Sequence, residues 1–227
     1  MRRRWTILAI LMAAVPLVAA AQTFQVLPEI DAYYRFDANW RVYFQAKDTR
    51  EGGAQNTAEI GPSLEFHLKP WEKLRQITAF DLDKSKEHIL LFSAGYRYLP
   101  TPGEPPTNRF EPYVTVHLPA PGRILLSARN RAYLDWKSGQ FSCHYRNRID
   151  VERPWKVRSY HFSPYVATEF LFTSQYSKWS TTSIFVGCLF PFGRHVGFDP
   201  YYEHENNTGT PPNQQLNQLG LILNLCF

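Results

Sequence analysis

Hydrophobic and polar residues alternate with a period of two over most of this chain. The pattern is clearest in residues 123–152, RILLSARNRAYLDWKSGQFSCHYRNRIDVE. This period is typical of β-strands, whose successive side chains point to opposite faces. Ser138-Gly139 divides the stretch, and glycine supplies the positive φ that a tight hairpin turn needs. The sequence therefore predicts a hairpin in which Lys137 pairs with Gln140 and the pairing continues outward from there.

This register gives the hairpin two different faces. One face is mostly apolar. The other carries two pairs of directly opposed arginines, Arg129 with Arg148 and Arg131 with Arg146. Like charges that face each other across a strand pair are unfavourable. The charged face must therefore adjoin water, carboxylates or an anionic ligand.

The same alternation recurs from Gln22 onward, with clusters of turn residues between the alternating segments. It predicts an all-β fold, a closed antiparallel β-barrel of about twelve strands. Segment 75–83 alternates least clearly, so a count of ten stays open. An even count would leave both chain ends on one side of the barrel. The predicted strands are 24–36, 40–48, 57–68, 75–83, 87–99, 108–118, 123–136, 141–152, 159–173, 179–190, 194–205 and 215–227.

Five prolines fall inside or near these strands. They are Pro28, Pro62, Pro112, Pro164 and Pro200. Proline has no N–H to donate to a β-ladder. We therefore expect bulges, strand ends or unpaired stretches at these positions.

Residues 1–21, MRRRWTILAILMAAVPLVAAA, have the anatomy of a secretory signal peptide. A basic start, an apolar centre and three small residues before Gln22 are the parts of such a segment. The alternative is an N-terminal membrane anchor, but no stop-transfer flank follows. We expect residues 1–21 to be removed and residues 22–227 to form one barrel domain.

Composition removes several classes of function. The formal net charge is +5, but three of the arginines lie in the signal peptide, so the mature chain is only weakly basic and nucleic acid is not an expected partner. Cys143, Cys188 and Cys226 stand singly inside strand patterns, which predicts neither a disulfide framework nor a metal site. No cofactor motif is present, so no cofactor is expected. After residue 21 no apolar run approaches the ~18 residues of a transmembrane helix.

Alternation alone does not tell which face of the barrel meets water. A soluble lipocalin-like carrier in the periplasm would place its apolar face inside, whereas a transmembrane barrel places it outside, towards lipid. The mature tryptophans all lie at predicted strand ends or turns, where an aromatic girdle at a membrane interface would need them. They are Trp40, Trp71, Trp136, Trp155 and Trp179. Together with the signal peptide, this favours the transmembrane barrel.

The C-terminus resembles the last strand of Gram-negative outer-membrane barrels. Phe227 is the final residue, and Leu223 and Leu225 precede it at every second position. The resemblance implies an assembly signal that the β-barrel assembly machinery recognises. It also implies location in the cell outer membrane, among outer-membrane lipid and lipopolysaccharide.

The two strands of the arginine hairpin are similar to an uncharacterised family of Gram-negative outer-membrane β-barrel proteins, known only as a domain of unknown function. Its members carry an R-x-R strand followed by a Y-R-x-R strand. An acidic residue that should follow soon after the first pair is displaced here to Asp135. The resemblance implies the fold and no activity. The matching residues are Arg129, Arg131, Tyr145, Arg146 and Arg148.

If the apolar face meets lipid, a cluster of charges faces the lumen. Glu111 is then expected beside Arg131, Tyr113 beside Arg129, and Glu169 near His144. Two interpretations follow: a structural barrel in which carboxylates neutralise the arginines, or a passive pore that attracts anions. The predicted cluster consists of Arg129, Arg131, Arg146, Arg148, Asp135, Asp150, Glu152, Glu111 and Glu169.

An alternative is an outer-membrane lipid hydrolase. His161 and Ser163 resemble the base and nucleophile of the outer-membrane phospholipase and lipid A deacylase barrels, and Gln175 stands where an orienting residue is expected. A serine nucleophile needs such a base, held by a third group. Pro164 replaces the asparagine of that motif, and the alternation turns His161 and Ser163 inward rather than towards lipid.

Overall fold

The computed structural model describes residues 23–51, 54–68, 86, 88–209 and 213–227. The predicted signal peptide, the predicted strand 75–83 and Trp71 lie outside these residues. No helix in the described ranges is long and apolar enough to cross a membrane.

The described part of the chain contains twelve strands. Eleven of them match the predicted strands to within a few residues, and the short strand β8 is additional. Their bounds are β1 Thr23–Arg35, β2 Trp40–Glu51, β3 Ala54–Leu68, β4 Leu90–Thr101, β5 Glu104–Ala120, β6 Ile124–Lys137, β7 Gln140–Glu152, β8 Trp155–Val157, β9 Tyr160–Thr173, β10 Lys178–Phe192, β11 Val196–Asn207 and β12 Gln214–Cys226.

Eleven of these strands close into a ring, which confirms the prediction of an all-β barrel. Neighbours in sequence pair antiparallel, β7 pairs with β9, and β12 returns to β1. This last pair is parallel, so the ring is mixed rather than purely antiparallel. The predicted even count is wrong for the described ring, and Thr23 and Phe227 lie at opposite ends. We call the end that carries Phe227 the C-terminal end.

The arginine hairpin has the predicted register throughout. Lys137 pairs with Gln140, and the two arginine pairs stand directly opposite each other. Both turn residues have positive φ, 51° at Ser138 and 79° at Gly139. This is the pattern of a type I′ turn, whose twist matches that of the flanking strands.

The barrel has an apolar exterior and a polar interior. On β1, Phe24, Val26 and Ile30 are 44–50% exposed, whereas the intervening Glu29 and Asp31 are 7% and 6% exposed. The other strands of the ring repeat this alternation, with most of the exposed large hydrophobic side chains on one face and most of the buried polar ones on the other. A water-soluble barrel would show the opposite arrangement.

Exposed aromatic side chains gather at both ends of the exterior. Trp40 opens β2 at the C-terminal end, and its ring centroid lies 4.8 Å from that of Phe66. Trp155 is exposed on β8 at the same end. Trp136 and Trp179 are exposed at the opposite end, where the ring centroids of Trp136 and Phe141 are 5.3 Å apart.

A polar cluster on β6 and β7 interrupts the apolar exterior. Asn130 and Asn147 are paired across β6 and β7 and point outward. The Asn130 Oδ1 atom accepts hydrogen bonds from the Tyr145 hydroxyl at 2.5 Å and from Asn147 Nδ2 at 2.8 Å. Because these groups partly satisfy one another, an apolar environment around them costs less than it would for isolated amides.

Each of the five prolines named from the sequence coincides with an interruption or an end of the β-ladder on one side, as the missing N–H predicts. Around Pro62, for example, the pairing of β3 with β4 breaks between Ile60 and Ser63. The ladders of Pro28 with β2, Pro112 with β6 and Pro200 with β10 break in the same way, and Pro164 stands just beyond the end of the β7–β9 ladder.

Arg97 fills the interruption at Pro62. Its side chain is 0% exposed and donates hydrogen bonds to the backbone oxygens of Pro62 at 2.9 Å and Tyr96 at 3.0 Å. It also donates to Ser63 Oγ at 2.9 Å and to Gln45 Oε1 at 3.0 Å. The guanidinium therefore supplies the donors that the ladder lacks.

We expect Arg97→Met to destabilise the barrel by about 3 kcal/mol, because it leaves buried acceptors without donors. Arg97→Lys should recover only part of the lost stability. A guanidinium presents a rigid fork of donors to acceptors on several sides, whereas the compact ammonium of lysine does not. Denaturant unfolding of the refolded chain, followed by tryptophan fluorescence, measures the difference. Arg50→Met, at an exposed arginine, is the control, and equal losses in both variants would contradict the assignment.

Candidate functional site

The interior of the barrel contains a cavity of about 330 Å³. Among the described residues, eight acidic and seven basic side chains line it, so their formal charges nearly cancel. The acidic residues are Glu29, Asp31, Glu65, Asp150, Glu152, Glu169, Asp199 and Glu203, and the basic ones are Arg41, Lys47, Lys86, Arg129, Arg131, Arg146 and Arg148.

The structure places the nine predicted lumen charges on the interior of the barrel. Seven of them line the cavity directly. The other two, Glu111 and Asp135, are buried beside it at 1% and 6% exposure. The alternation of the sequence therefore identified the inner face correctly.

Three of the four opposed arginines have a carboxylate partner. Arg131 Nη1 lies 3.0 Å from Glu111 Oε1, which agrees with the predicted contact. Arg146 Nη1 lies 3.2 Å from Glu169 Oε1, and Arg148 Nε lies 2.9 Å from Asp150 Oδ1. Carboxylates thus compensate most of the repulsion within the hairpin.

The ladder between β5 and β6 is shifted by two residues from its predicted register. Tyr113, rather than Glu111, stands directly opposite Arg131. The turn occupies 121–123, where Gly122 and Arg123 have positive φ, so the strands meet one residue later than expected. A shift of two keeps every side chain on its face. Tyr113 still lies beside Arg129, whose Cζ is 5.5 Å from the ring centroid.

The predicted proximity of Glu169 to His144 is wrong. His144 pairs with Thr173, and Glu169 pairs with Arg148. Trp155–Val157 fold back onto β9 as the short strand β8 instead of extending the β7–β9 ladder. This local hairpin shifts the whole ladder, and His144 instead approaches Asp135 at 3.8 Å.

A second ion-pair network lies nearer the end of the lumen opposite the C-terminal end. Arg109 binds Asp135 through two atoms, Nε at 2.7 Å and Nη2 at 2.9 Å. Its Nη1 also lies 3.6 Å from Glu59, and its Cζ is 4.2 Å from the Tyr133 ring centroid. A bidentate arginine–carboxylate pair fixes geometry as well as charge, so this network ties β3, β5 and β6 together.

Near the C-terminal end, Glu65 is the centre of a network across three strands. It accepts hydrogen bonds from Arg41 Nε and from the Tyr113 hydroxyl, and it is 1% exposed.

Lys86 approaches from outside the strands, with its Nζ 2.5 Å from Glu152 Oε2. Sequence reasoning missed Lys86, since no alternation marks its segment.

The acidic wall on β1 was also missed. Glu29 accepts a hydrogen bond from Gln45, and Asp31 accepts hydrogen bonds from the hydroxyls of Tyr33 at 3.2 Å and Tyr43 at 3.0 Å. The alternation of β1 could have identified Glu29 and Asp31, because both have the same parity as the buried Gln25 and Leu27.

Charged side chains of both signs lie on each side of the lumen. Glu29 and Asp31 are on β1, and Arg41 and Lys47 are beside them on β2. Almost diametrically across the ring, the four arginines of the hairpin share β6 and β7 with Asp150 and Glu152. The described lining of the lumen is therefore nearly neutral in total, with positive and negative side chains close together on each wall.

The structure does not bring the three predicted hydrolase residues together. His161 and Ser163 lie at the start of β9, at the C-terminal end, while Gln175 lies in a 3-10 turn after the end of the same strand. Gln175 follows Ser163 by twelve residues. At a rise of about 3.3 Å per strand residue, the two residues are tens of ångströms apart. Gln175 therefore cannot orient the His161 imidazole, and Ser163 is 1% exposed and points away from the apolar exterior.

Within the described ranges, no group of three or more His, Cys, Asp or Glu residues is arranged to hold a metal ion. The three cysteines are free thiols.

Comparison with known proteins gives one family and no activity. A family model described as "Protein of unknown function (DUF2490)" matches residues 24–216. The match begins in β1 and ends three residues into β12, so it covers ten strands of the described ring and the start of the last one. No curated protein matches the chain.

We expect a double-mutant cycle at Glu111 and Arg131 to show strong coupling. Arg131→Met alone leaves a buried carboxylate without its cation and should cost about 3–5 kcal/mol of unfolding free energy. Adding Glu111→Leu should restore most of that loss, because the uncompensated charge is removed. Urea unfolding of the four proteins measures the coupling; additive losses would show that the pair is not a functioning ion pair.

Proposed function

The chain belongs to this family of unknown function, and we propose that it is an outer-membrane β-barrel whose charged lumen serves as a narrow passive pore. The observation that carries the proposal is the inverted polarity of the barrel. Apolar side chains cover its outside, and arginines and carboxylates fill its inside.

The exterior argues against a soluble carrier. Each apolar side chain left in water forgoes about 25 cal/mol per Å² of the stabilisation that burial would give. Patches of this extent on a monomeric protein mark a surface that another phase or partner covers. The lipocalin-like alternative also requires an apolar interior, whereas charged side chains line this one.

The height of the apolar band fits a bilayer. Leu126 and Trp136 are outward residues of β6, ten positions apart, and such a segment is about 33 Å long at ~3.3 Å per residue. A strand tilt of about 40° reduces this to a height of about 25 Å, that of the apolar band of outer-membrane barrels. The exposed tryptophans then lie at both interfaces, where their rings are most stable.

The C-terminus supports assembly in the outer membrane. Leu219, Leu221 and Phe227 are exposed on the outer face of the last strand and beyond it. The Phe227 N–H donates to Tyr33 O at 2.9 Å, and Phe227 O accepts from Arg35 N at 3.1 Å, so the last residue lies in the seam that closes the barrel. We infer that residues 1–21 direct export and that the assembly machinery recognises this strand. The mature barrel would then be surrounded by outer-membrane lipid and lipopolysaccharide.

The cavity favours a pore over a filled barrel. An eleven-stranded ring is wider than the eight strands whose interior side chains alone can fill it. Ion pairs narrow this lumen from several sides without removing the central space. Passage would therefore be restricted to water, ions and small polar solutes, without a tightly bound substrate.

We expect the refolded mature chain to migrate differently on gels before and after boiling, and to conduct ions in a planar lipid bilayer. Persistent migration as one band, with solubility in the absence of detergent, would contradict the membrane barrel. A heat-modifiable band without conductance would contradict only the pore and favour a structural barrel. The unrefolded chain added at the same concentration is the control for leakage.

A further inference from the structure

We propose that Arg129 forms a binding site for a small oxyanion, such as a carboxylate or phosphate group, inside the lumen. The site goes beyond the pore function, because an anion can bind there whether or not solutes pass through the barrel. It consists of the Arg129 guanidinium, the Thr115 hydroxyl and the open cavity between them and the opposite wall.

Arg129 differs from the three arginines around it. Arg131, Arg146 and Arg148 each have a carboxylate within 3.2 Å. Among the residues that the structure describes, Arg129 has no carboxylate at ion-pair distance. The Cζ atom of Arg129 lies 5.5 Å from the centroid of the Tyr113 ring. The hairpin therefore carries one uncompensated positive charge, directly opposite another arginine.

Two hydrogen-bond donors at this place, one on Arg129 and one on Thr115, also lack acceptors among the described residues. The Nε of Arg129 is buried and makes no hydrogen bond within the described part of the chain. Thr115 is its ladder partner on β5, is 2% exposed, and has a hydroxyl without a partner there as well. Buried polar groups are normally satisfied, so two such groups side by side indicate a missing acceptor.

The chemistry of these donors selects an oxyanion. A guanidinium presents a fork of N–H groups that fits the oxygens of carboxylate or phosphate, and a hydroxyl adds one further donor. Both residues line the cavity of about 330 Å³, which has room for such an anion and its water. The local excess of positive charge would favour the anion over a neutral solute of the same size.

The direct test is isothermal titration calorimetry of the refolded full mature chain in detergent, with inorganic phosphate and with acetate at constant ionic strength. We expect one anion bound per chain, with binding weakened at least about tenfold in Arg129→Gln and less in Thr115→Val. Arg50→Gln, which removes an exposed arginine already paired with Asp48, is the matched control and should bind as the wild type does.

A second measurement separates a ligand site from a structural role. Without added oxyanion, Arg129→Gln should be at least as stable to denaturant as the wild type, because the substitution relieves repulsion from Arg148. The same change at Arg131 should destabilise the barrel. Phosphate should then raise the unfolding midpoint of the wild type and of Arg50→Gln but not that of Arg129→Gln.

Equal phosphate binding by wild type and Arg129→Gln would overturn the proposal, as would the absence of binding in both. Loss of stability in Arg129→Gln comparable to that of Arg131→Gln would also overturn it, since Arg129 would then be an ordinary member of the structural network. A chain that binds phosphate through Arg129 but shows no conductance would retain the site and refute only the pore.

Discussion

A charged side chain inside a ring of β-strands is stable only if water or an opposite charge faces it. This barrel carries four arginines on two adjacent strands, arranged as two opposed pairs. Their repulsion would separate β6 from β7 if nothing compensated it. Glu111, Glu169 and Asp150 provide that compensation from the hairpin and its two neighbours, and the remaining structure is consistent with this requirement.

Compensation of charge also favours one face of each charged strand as the inner one. A one-residue slip on a strand that carries inward carboxylates, such as β1, β3 or β7, would move them to the exterior and bring its apolar residues into the charged lumen. The networks around Glu65 and around Asp135 each link several strands in the same way. The interior ion pairs thus specify register, and the apolar exterior follows from them because the two faces alternate.

Local geometry explains how much of the fold could be predicted from the sequence. The β6–β7 register was predicted in full because a two-residue turn at Ser138-Gly139 is compatible with only one pairing of the two strands. The β5–β6 ladder was displaced by two residues because its turn has three residues, and the β7–β9 ladder by more because β8 folds back as a separate hairpin. The alternation of polar and apolar residues does not give the length of a turn, and therefore does not give the register of the strands that the turn connects.

Two side-chain contacts were beyond sequence reasoning. Arg97 on β4 satisfies the Pro62 carbonyl on the adjacent strand β3, which requires the exact position of the break in that ladder. Lys86 reaches Glu152 from a segment without alternation, a contact between residues far apart in the sequence. The sequence placed Glu111 beside Arg131 and Tyr113 beside Arg129, as the structure does. It did not show which carboxylates contact Arg146 and Arg148, and so it could not single out Arg129 as the arginine without a carboxylate among the described residues.

The central claim is that the apolar exterior faces lipid, and quenching of tryptophan fluorescence by brominated lipids tests it most directly. Single-tryptophan variants that retain Trp40, Trp136 or Trp179 would be refolded into vesicles with bromines placed near the headgroup or near the bilayer centre. The structure predicts strong quenching by the shallow bromines and weak quenching by the deep ones, at both ends of the barrel. Absence of quenching by either lipid would contradict the claim.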